Sequence, residues 1–228
     1  MPDAGLGCLN AWMSGRDWLQ WHEAYEVSGS SQARRLVVVQ RYLTTALDGR
    51  PGRLVSLCAG DGRDVLPALA AHPGGRDVRA VLVELDPALS GRARLAAEAL
   101  GLPSVEVRTA DAGDPVAYRD VVPVDVLLAC GVFGNISPGD MRRTVAAFPS
   151  FLAPGGVVIW TRGRGDVAAD PSAEVRACFV AEGFEELAFT APDDAGFRVG
   201  MSRLATATAT ATATAGAATA TGRLFAFR

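Results

Sequence analysis

From residue 51 to 204, short apolar runs alternate with stretches whose apolar residues recur at three- and four-residue spacing. The runs Arg53–Cys58, Val78–Glu84, Val105–Thr109, Val124–Ala129 and Val157–Thr161 predict strands, and 184–190 and 197–204 predict two more. Between them, helices are predicted from the Gly62 turn to about Ala71, over Pro87–Leu100 with Gly101 as the stop, over Met141–Leu152 and over Pro171–Ala181. Upstream, 12–47 reads as helical: Trp18, Trp21, His22 and Tyr25 share one face, and a second stretch runs from Ala33 to Leu47. Strands that are apolar throughout and separated by helices pack as a parallel sheet covered on both faces. The expected fold is α/β, a Rossmann-like three-layer αβα sandwich. Ligands of such sheets sit beyond the carboxyl ends of the strands, so the loops after Cys58, Glu84, Thr109 and Ala129 are where chemistry is sought.

After Leu204 the chain is nearly pure alternating Ala and Thr, which buries little apolar area. The expected organisation is an N-terminal helical cap or lid (1–50), a core (51–204), a connector without direct function (205–222) and a C-terminal strand (223–228) whose Leu224–Phe227 returns to the sheet.

The chain has 228 residues, 49% apolar, with a net charge of −3. That suits one domain with an ample core and disfavours a protein that holds nucleic acid by charge. All 22 basic residues are Arg, which excludes Schiff-base and P-loop lysine chemistry. Cys8, Cys58, Cys130 and Cys178 are scattered without a C-x-x-C pair, and His22 and His72 are the only histidines, so no metal site is expected. The first residues lack a signal-peptide pattern and no apolar stretch reaches the ~18 residues of a membrane span. A cytoplasmic protein without membrane partners is expected.

The loop Leu57-Cys58-Ala59-Gly60-Asp61-Gly62-Arg63-Asp64 joins a strand to a helix, and its two glycines allow a tight turn and close ligand approach. A dinucleotide fingerprint would put a third glycine at Val65, and Asp61 and Asp64 would repel phosphate. A cationic or zwitterionic ligand suits the loop better. Glu84, ending the second strand, is placed to take both hydroxyls of a ribose; the plain alternative is a solvated strand-end acid. Asp86-Pro87 reads as a helix start. Asp111, after the third strand, is positioned to accept from an adenine amino group, or is simply a loop acid.

These residues together resemble the class I S-adenosylmethionine-dependent methyltransferases over about 51–204. Leu57–Gly62 looks like the glycine-rich first motif, Val83–Asp86 the second, Ala110-Asp111-Ala112 the third and Val124–Gly131 the fourth; Leu152-Ala153-Pro154-Gly155-Gly156 resembles the turn before the fifth strand. The resemblance implies a seven-stranded, mostly parallel sheet with one antiparallel strand. It implies S-adenosylmethionine as methyl donor and S-adenosylhomocysteine as product. By analogy Gly60 and Gly62 line the methionine part, Glu84 binds the ribose, Asp111 with Ala112 meets the adenine, and Cys130 and Gly131 border the sulfonium; Tyr25, Cys58, Ala59, Asp61 and Leu85 complete the expected donor-binding set. Two positions depart from the pattern: Ser56 stands where an acid is usual, and Cys58 where a glycine is. Asp61 or the N-terminal helices then have to hold the methionine ammonium.

Tyr25, Arg34 and Arg35 are candidates to close over the donor, the arginines by pairing with its carboxylate or else as plain surface charges. His22 is a candidate base by its pKa, or a packed helix residue. Asn135 is a candidate to orient a substrate amine or hydroxyl, or a cap or turn residue. Phe133, Trp12, Trp18 and Trp21 are candidates to line an acceptor pocket. The expected acceptor is a small molecule, not nucleic acid. The competing functions are an NAD-dependent oxidoreductase on a related fold and a non-catalytic binding protein of the same fold.

Overall fold

The computed structural model describes residues 25–48, 52–165, 170–206 and 222–228. The expectations for Trp12, Trp18, Trp21 and His22, and for most of the Ala/Thr tract, lie outside these residues.

Helix α1 spans Ser31–Leu47, its first turn capped by the Ser30 hydroxyl accepting from Ala33 N–H. There follow β1 (Arg53–Leu57), α2 (Leu66–Ala71), β2 (Arg79–Glu84), α3 (Pro87–Ala99), β3 (Val105–Thr109), β4 (Val124–Ala129), α4 (Pro138–Ala147), β5 (Leu152–Gly163), α5 (Ser172–Ala181), β6 (Phe184–Thr190) and β7 (Phe197–Leu204). Asp86 caps α3 as expected, with Pro87 in the first turn. Helix α4 begins earlier than its apolar periodicity suggests because Ser137 caps it, accepting from Asp140 N–H, and Pro138 starts it.

The seven strands form one sheet in the order β3-β2-β1-β4-β5-β7-β6. β7 runs antiparallel to both β5 and β6, and the other pairings are parallel. Strand alternation sorts the core into two halves. Val55, Leu57, Val81, Val83, Leu127 and Val158 face α4 and α5. Leu54, Ala80, Leu82, Val126, Leu128 and Ile159 face α1, α2 and the end of α3. The described part of the expected cap is therefore partly a layer of the sandwich: α1 buries Val39, Tyr42, Leu43 and Leu47 against the sheet. On the other face, Trp160 is fully buried, stacked on Phe179 at 5.8 Å. It occupies the space over Gly200, where a Cβ would lie 2.2 Å from the indole ring.

The C-terminal segment is not the expected strand. Residues 223–228 join no ladder. Leu224 and Phe225 are consecutive, yet both are buried, at 2% and 3% exposure, in the half of the core beside α4. A strand would turn one of them away, so packing under the site loops replaces strand pairing as the way these apolar side chains leave water.

Arg198 on β7 is 5% exposed and is stabilised by the Asp170 carboxylate and by the carbonyls of Pro192, Ala195 and Phe197. Partial burial works against the Asp170 charge, but hydrogen bonds from Ser172 and Arg198 outweigh it and hold the carboxyl at about 2, against an ordinary 3.8. A carboxyl depressed in the folded state stabilises the fold above its unfolded pKa and loses that contribution as pH falls toward the folded one. Since the Asp170 side chain is one-third exposed, about 1–2 kcal/mol is expected to vanish between roughly pH 4 and 2. Urea denaturation of wild type and Asp170→Asn across this range checks it: the variant is less stable near neutrality and the gap closes in acid.

Candidate functional site

The site begins where β1 ends. Cys58 takes a left-handed backbone, φ +53°, which costs a side-chain-bearing residue and is the physical reason glycine suits this position. Gly60 and Gly62 follow at φ +58° and +80°, and a Cβ on Gly62 would come within 2.6 Å of the Leu66 side chain. Ala59 N–H donates to Val83 O, which carries the turn across to the tip of β2.

Glu84 closes this turn. Its Oε2 accepts from Gly60 N–H at 2.8 Å and its Oε1 from Asp86 N–H at 2.9 Å. The side chain is 9% exposed, so the sequence alternative of a solvated strand-end acid does not hold. Leu85 beside it is 61% exposed, and Ala112 beyond β3 is buried. Burial, then Glu84 and then Asp111, pushes the Cys58 thiol well above its ordinary value. The tips of β1, β2 and β3 lie side by side, because the three strands pair in parallel.

On the other side of the first loop, the acids expected to repel phosphate are each matched by an arginine. Asp61 takes the Arg63 guanidinium, with Nε 2.8 Å from Oδ1, and Arg63 also reaches Glu26 at 3.3 Å. Asp64 faces Arg35 at 3.8 Å. The loop is thus less anionic than its sequence suggests, and charge repulsion no longer speaks against a phosphate ligand. The missing third glycine still does: Val65 is fully buried at the entrance to α2. Tyr25 lies over this cluster, its hydroxyl bonded to Arg35 and its ring 4.6 Å from the Arg63 guanidinium carbon. Burial, and then the nearby Asp64 carboxylate, raises the Tyr25 hydroxyl. Burial opposes the Arg35 charge, but Asp64 and Tyr25 outweigh it, so its pKa rises further. The Cys130 thiol, at the end of β4, is pushed up by burial and by Asp64.

Arg34 and Arg35 part ways. Arg34 pairs with exposed Asp194 at 2.8 Å on the surface, whereas Arg35 is buried. The signal was present in the sequence: Arg35 falls on the stripe Val39, Tyr42/Leu43, Leu47, and Arg34 does not. The Asp64–Arg35 pairing itself carries no local sequence mark.

After β4, Gly131 turns at φ +76° and is held from two sides: its N–H donates to Thr161 Oγ1 at 2.8 Å, and its carbonyl accepts from Asn135 Nδ2 at 2.6 Å. Of the roles weighed for Asn135, the turn role is the one observed, and Ser137 is the helix cap. Phe133 is buried among Phe148, Trp160 and Phe179. Asn135 borders a cavity of about 300 Å³ between this loop and α5, together with Met141, Arg162, Glu174 and Arg228. Among the described residues, no group of three or more His, Cys, Asp or Glu gathers as a metal site, and no helix is long and apolar enough to cross a membrane.

No family model and no curated protein matches the chain. Solved structures do. An RNA methyltransferase from Salinibacter ruber in complex with S-adenosyl-L-homocysteine is 23% identical, over 74% of this chain and 90% of that one, at TM-score 0.50. An O-methyltransferase family protein from Burkholderia thailandensis is 14% identical, over 77% and 57%, at 0.61. The 4+2 cyclase SpnF is 14% identical, over 78% and 84%, at 0.60. The chain has the class I methyltransferase fold.

The buried pair supplies a test of the site's architecture. Arg35→Met leaves the Asp64 charge without its buried partner and is expected to cost about 3 kcal/mol. Adding Asp64→Asn should recover at least about 1 kcal/mol of that loss, as contacting residues couple. Denaturant melts of the two single variants and the double variant measure the coupling; strict additivity would contradict the pairing.

Proposed function

We propose that this protein is a S-adenosylmethionine-dependent methyltransferase with a small-molecule acceptor. The observation that carries the reading is Glu84, a buried carboxylate clamped by the Gly60 and Asp86 amides at the tip of β2, with Asp111 on the loop after the neighbouring strand β3. A carboxylate fixed in this way suits a vicinal diol, whose two hydroxyls donate to it in charge-assisted bonds. Exposed Leu85 offers an apolar face beside it for a base, and Asp111 an acceptor for the exocyclic amine. The fold neighbour carrying S-adenosyl-L-homocysteine supports the same ligand class.

In this reading Gly60 and Gly62 leave room for the donor's methionine chain, Tyr25 covers it, and the Arg35–Asp64 pair offers opposite charges to the ends of a zwitterion. Asp61, bound by Arg63, keeps the loop closed. Cys130 and Gly131 border the methyl group. Both thiols near the donor, Cys58 and Cys130, stay protonated near neutrality, since burial raises them, so they do not compete as nucleophiles. Bound S-adenosylmethionine supplies a methyl group already activated on a sulfonium, so what the protein adds is alignment and exclusion of water, worth up to about 7–11 kcal/mol.

The acceptor side is read from the cavity beyond Gly131. Its size suits a small molecule. Phe133 and Met141 give it an apolar wall and Arg162 a guanidinium, which no carboxylate pairs among the described residues. Burial lowers the Arg162 pKa despite Asp170 and Glu174 nearby. The mild net negative charge supports a small acceptor over nucleic acid. The fold also hosts a cyclase, so binding and turnover are separate tests.

Calorimetry with S-adenosylhomocysteine and with NAD checks the first of these. Saturable binding of the former and none of the latter is expected, and the reverse would install the oxidoreductase reading. Glu84→Ala should weaken S-adenosylhomocysteine by about 1.5–3 kcal/mol, on the scale of hydrogen bonds to a charged group. Unchanged affinity would remove Glu84 from the diol.

A further inference from the structure

Asp111 sits on a loop past the edge strand β3 with about a third of its side chain exposed, and a carboxylate in that position turns freely unless something fixes it. Two groups do. Its Oδ1 accepts from Gly113 N–H at 2.8 Å, and its Oδ2 receives the guanidinium of Arg223 from the far end of the sequence. Arg223 Nε also donates to Phe225 O at 3.0 Å, so the guanidinium is aimed from both sides.

The segment that delivers Arg223 is anchored along its length. Leu224 N–H donates to Gly113 O at 2.7 Å. The Phe225 carbonyl lies where any side chain at 113 would be: a Cβ there would come within 2.2 Å of it. Arg143 Nε on α4 donates to Leu224 O at 3.0 Å, and Arg228 N–H donates to Asn135 O at 2.9 Å. With Leu224 and Phe225 buried, residues 223–228 form a strap from the loop after β3 to the loop after β4.

Resting on the donor reading above, we infer that this strap is part of the donor site and that Arg223 is the residue that positions the Asp111 carboxylate for the 6-amino group of the bound nucleoside. Two charge-assisted bonds hold the carboxylate in one orientation before the ligand arrives, so the ordering cost is already met when the amine donates to it. Arg223 is a positioning residue, acting through Asp111. Its loss is felt by a nucleoside with a 6-amino group and not by one without.

The test is calorimetry on the full chain with S-adenosylhomocysteine and with S-inosylhomocysteine, which carries a 6-oxo group instead. Wild type is expected to prefer the amino ligand. Arg223→Gln should weaken it about tenfold while leaving the oxo ligand nearly unchanged. Arg223→Lys should restore part of the preference, and in an Asp111→Ala background Arg223→Gln should change nothing further. If Arg223→Gln fails to fold, Arg223→Lys and Asp111→Ala carry the comparison: loss of the preference on removing Asp111, and a reduced preference with Lys, are then the expected results. A preference that survives Arg223→Gln overturns the inference, as does an equal loss for both ligands, which would make the strap mere packing. Wild type that binds neither ligand overturns the donor reading itself, and this inference with it.

Discussion

The clamp on Glu84 is the constraint on which the site depends. A carboxylate at the end of a buried strand has to find hydrogen-bond donors or carry a desolvation cost. Here the donors are two backbone amides, one on the turn after β1 and one at the start of α3. The same bonds that satisfy the charge fix the turn's height over the sheet. The left-handed backbone at Cys58 and the closely packed Gly62 follow from that fixed turn. In the proposed reading, the groups that stabilise the loop are also those that meet the donor.

The remaining charges of the site follow the same economy of partners. Arg35 and Tyr25 are buried and Asp64 is mostly so, and the two charges there depend on each other. The cluster joins α1, the first loop and the end of β4. Helix α1 is thereby tied to the loop end of the sheet as well as to its hydrophobic face.

Much of this was legible in the sequence, for local reasons. Strands such as Val78–Glu84 carry runs apolar on both faces, and helices such as Pro87–Ala99 carry their own cap, so seven strands and their order of appearance followed from pattern alone. Glu84 and Asp111 stood out as candidates because a strand's end is a position that sequence marks. What was missed depends on partners distant in the chain. Asp61 and Asp64 looked like bare acids because Arg35 is a helix away and the two-residue offset of Arg63 says nothing of direction. The C-terminal residues looked like a strand because Leu224, Phe225 and Phe227 are strand formers, while their true partner is a glycine over a hundred positions earlier, visible only once Gly113 and Phe225 are seen to touch. That one strand runs antiparallel came from the resemblance, not from periodicity, and the structure identifies it as β7.

The packing of Trp160 against Gly200 ties two neighbouring strands into a lock and its keyhole. The indole occupies the volume that any larger residue at 200 would need, so neither position can drift alone. A larger residue at 200 is tolerated only with a matching reduction at 160, so in variants of this chain a side chain at 200 should come with a smaller residue at 160.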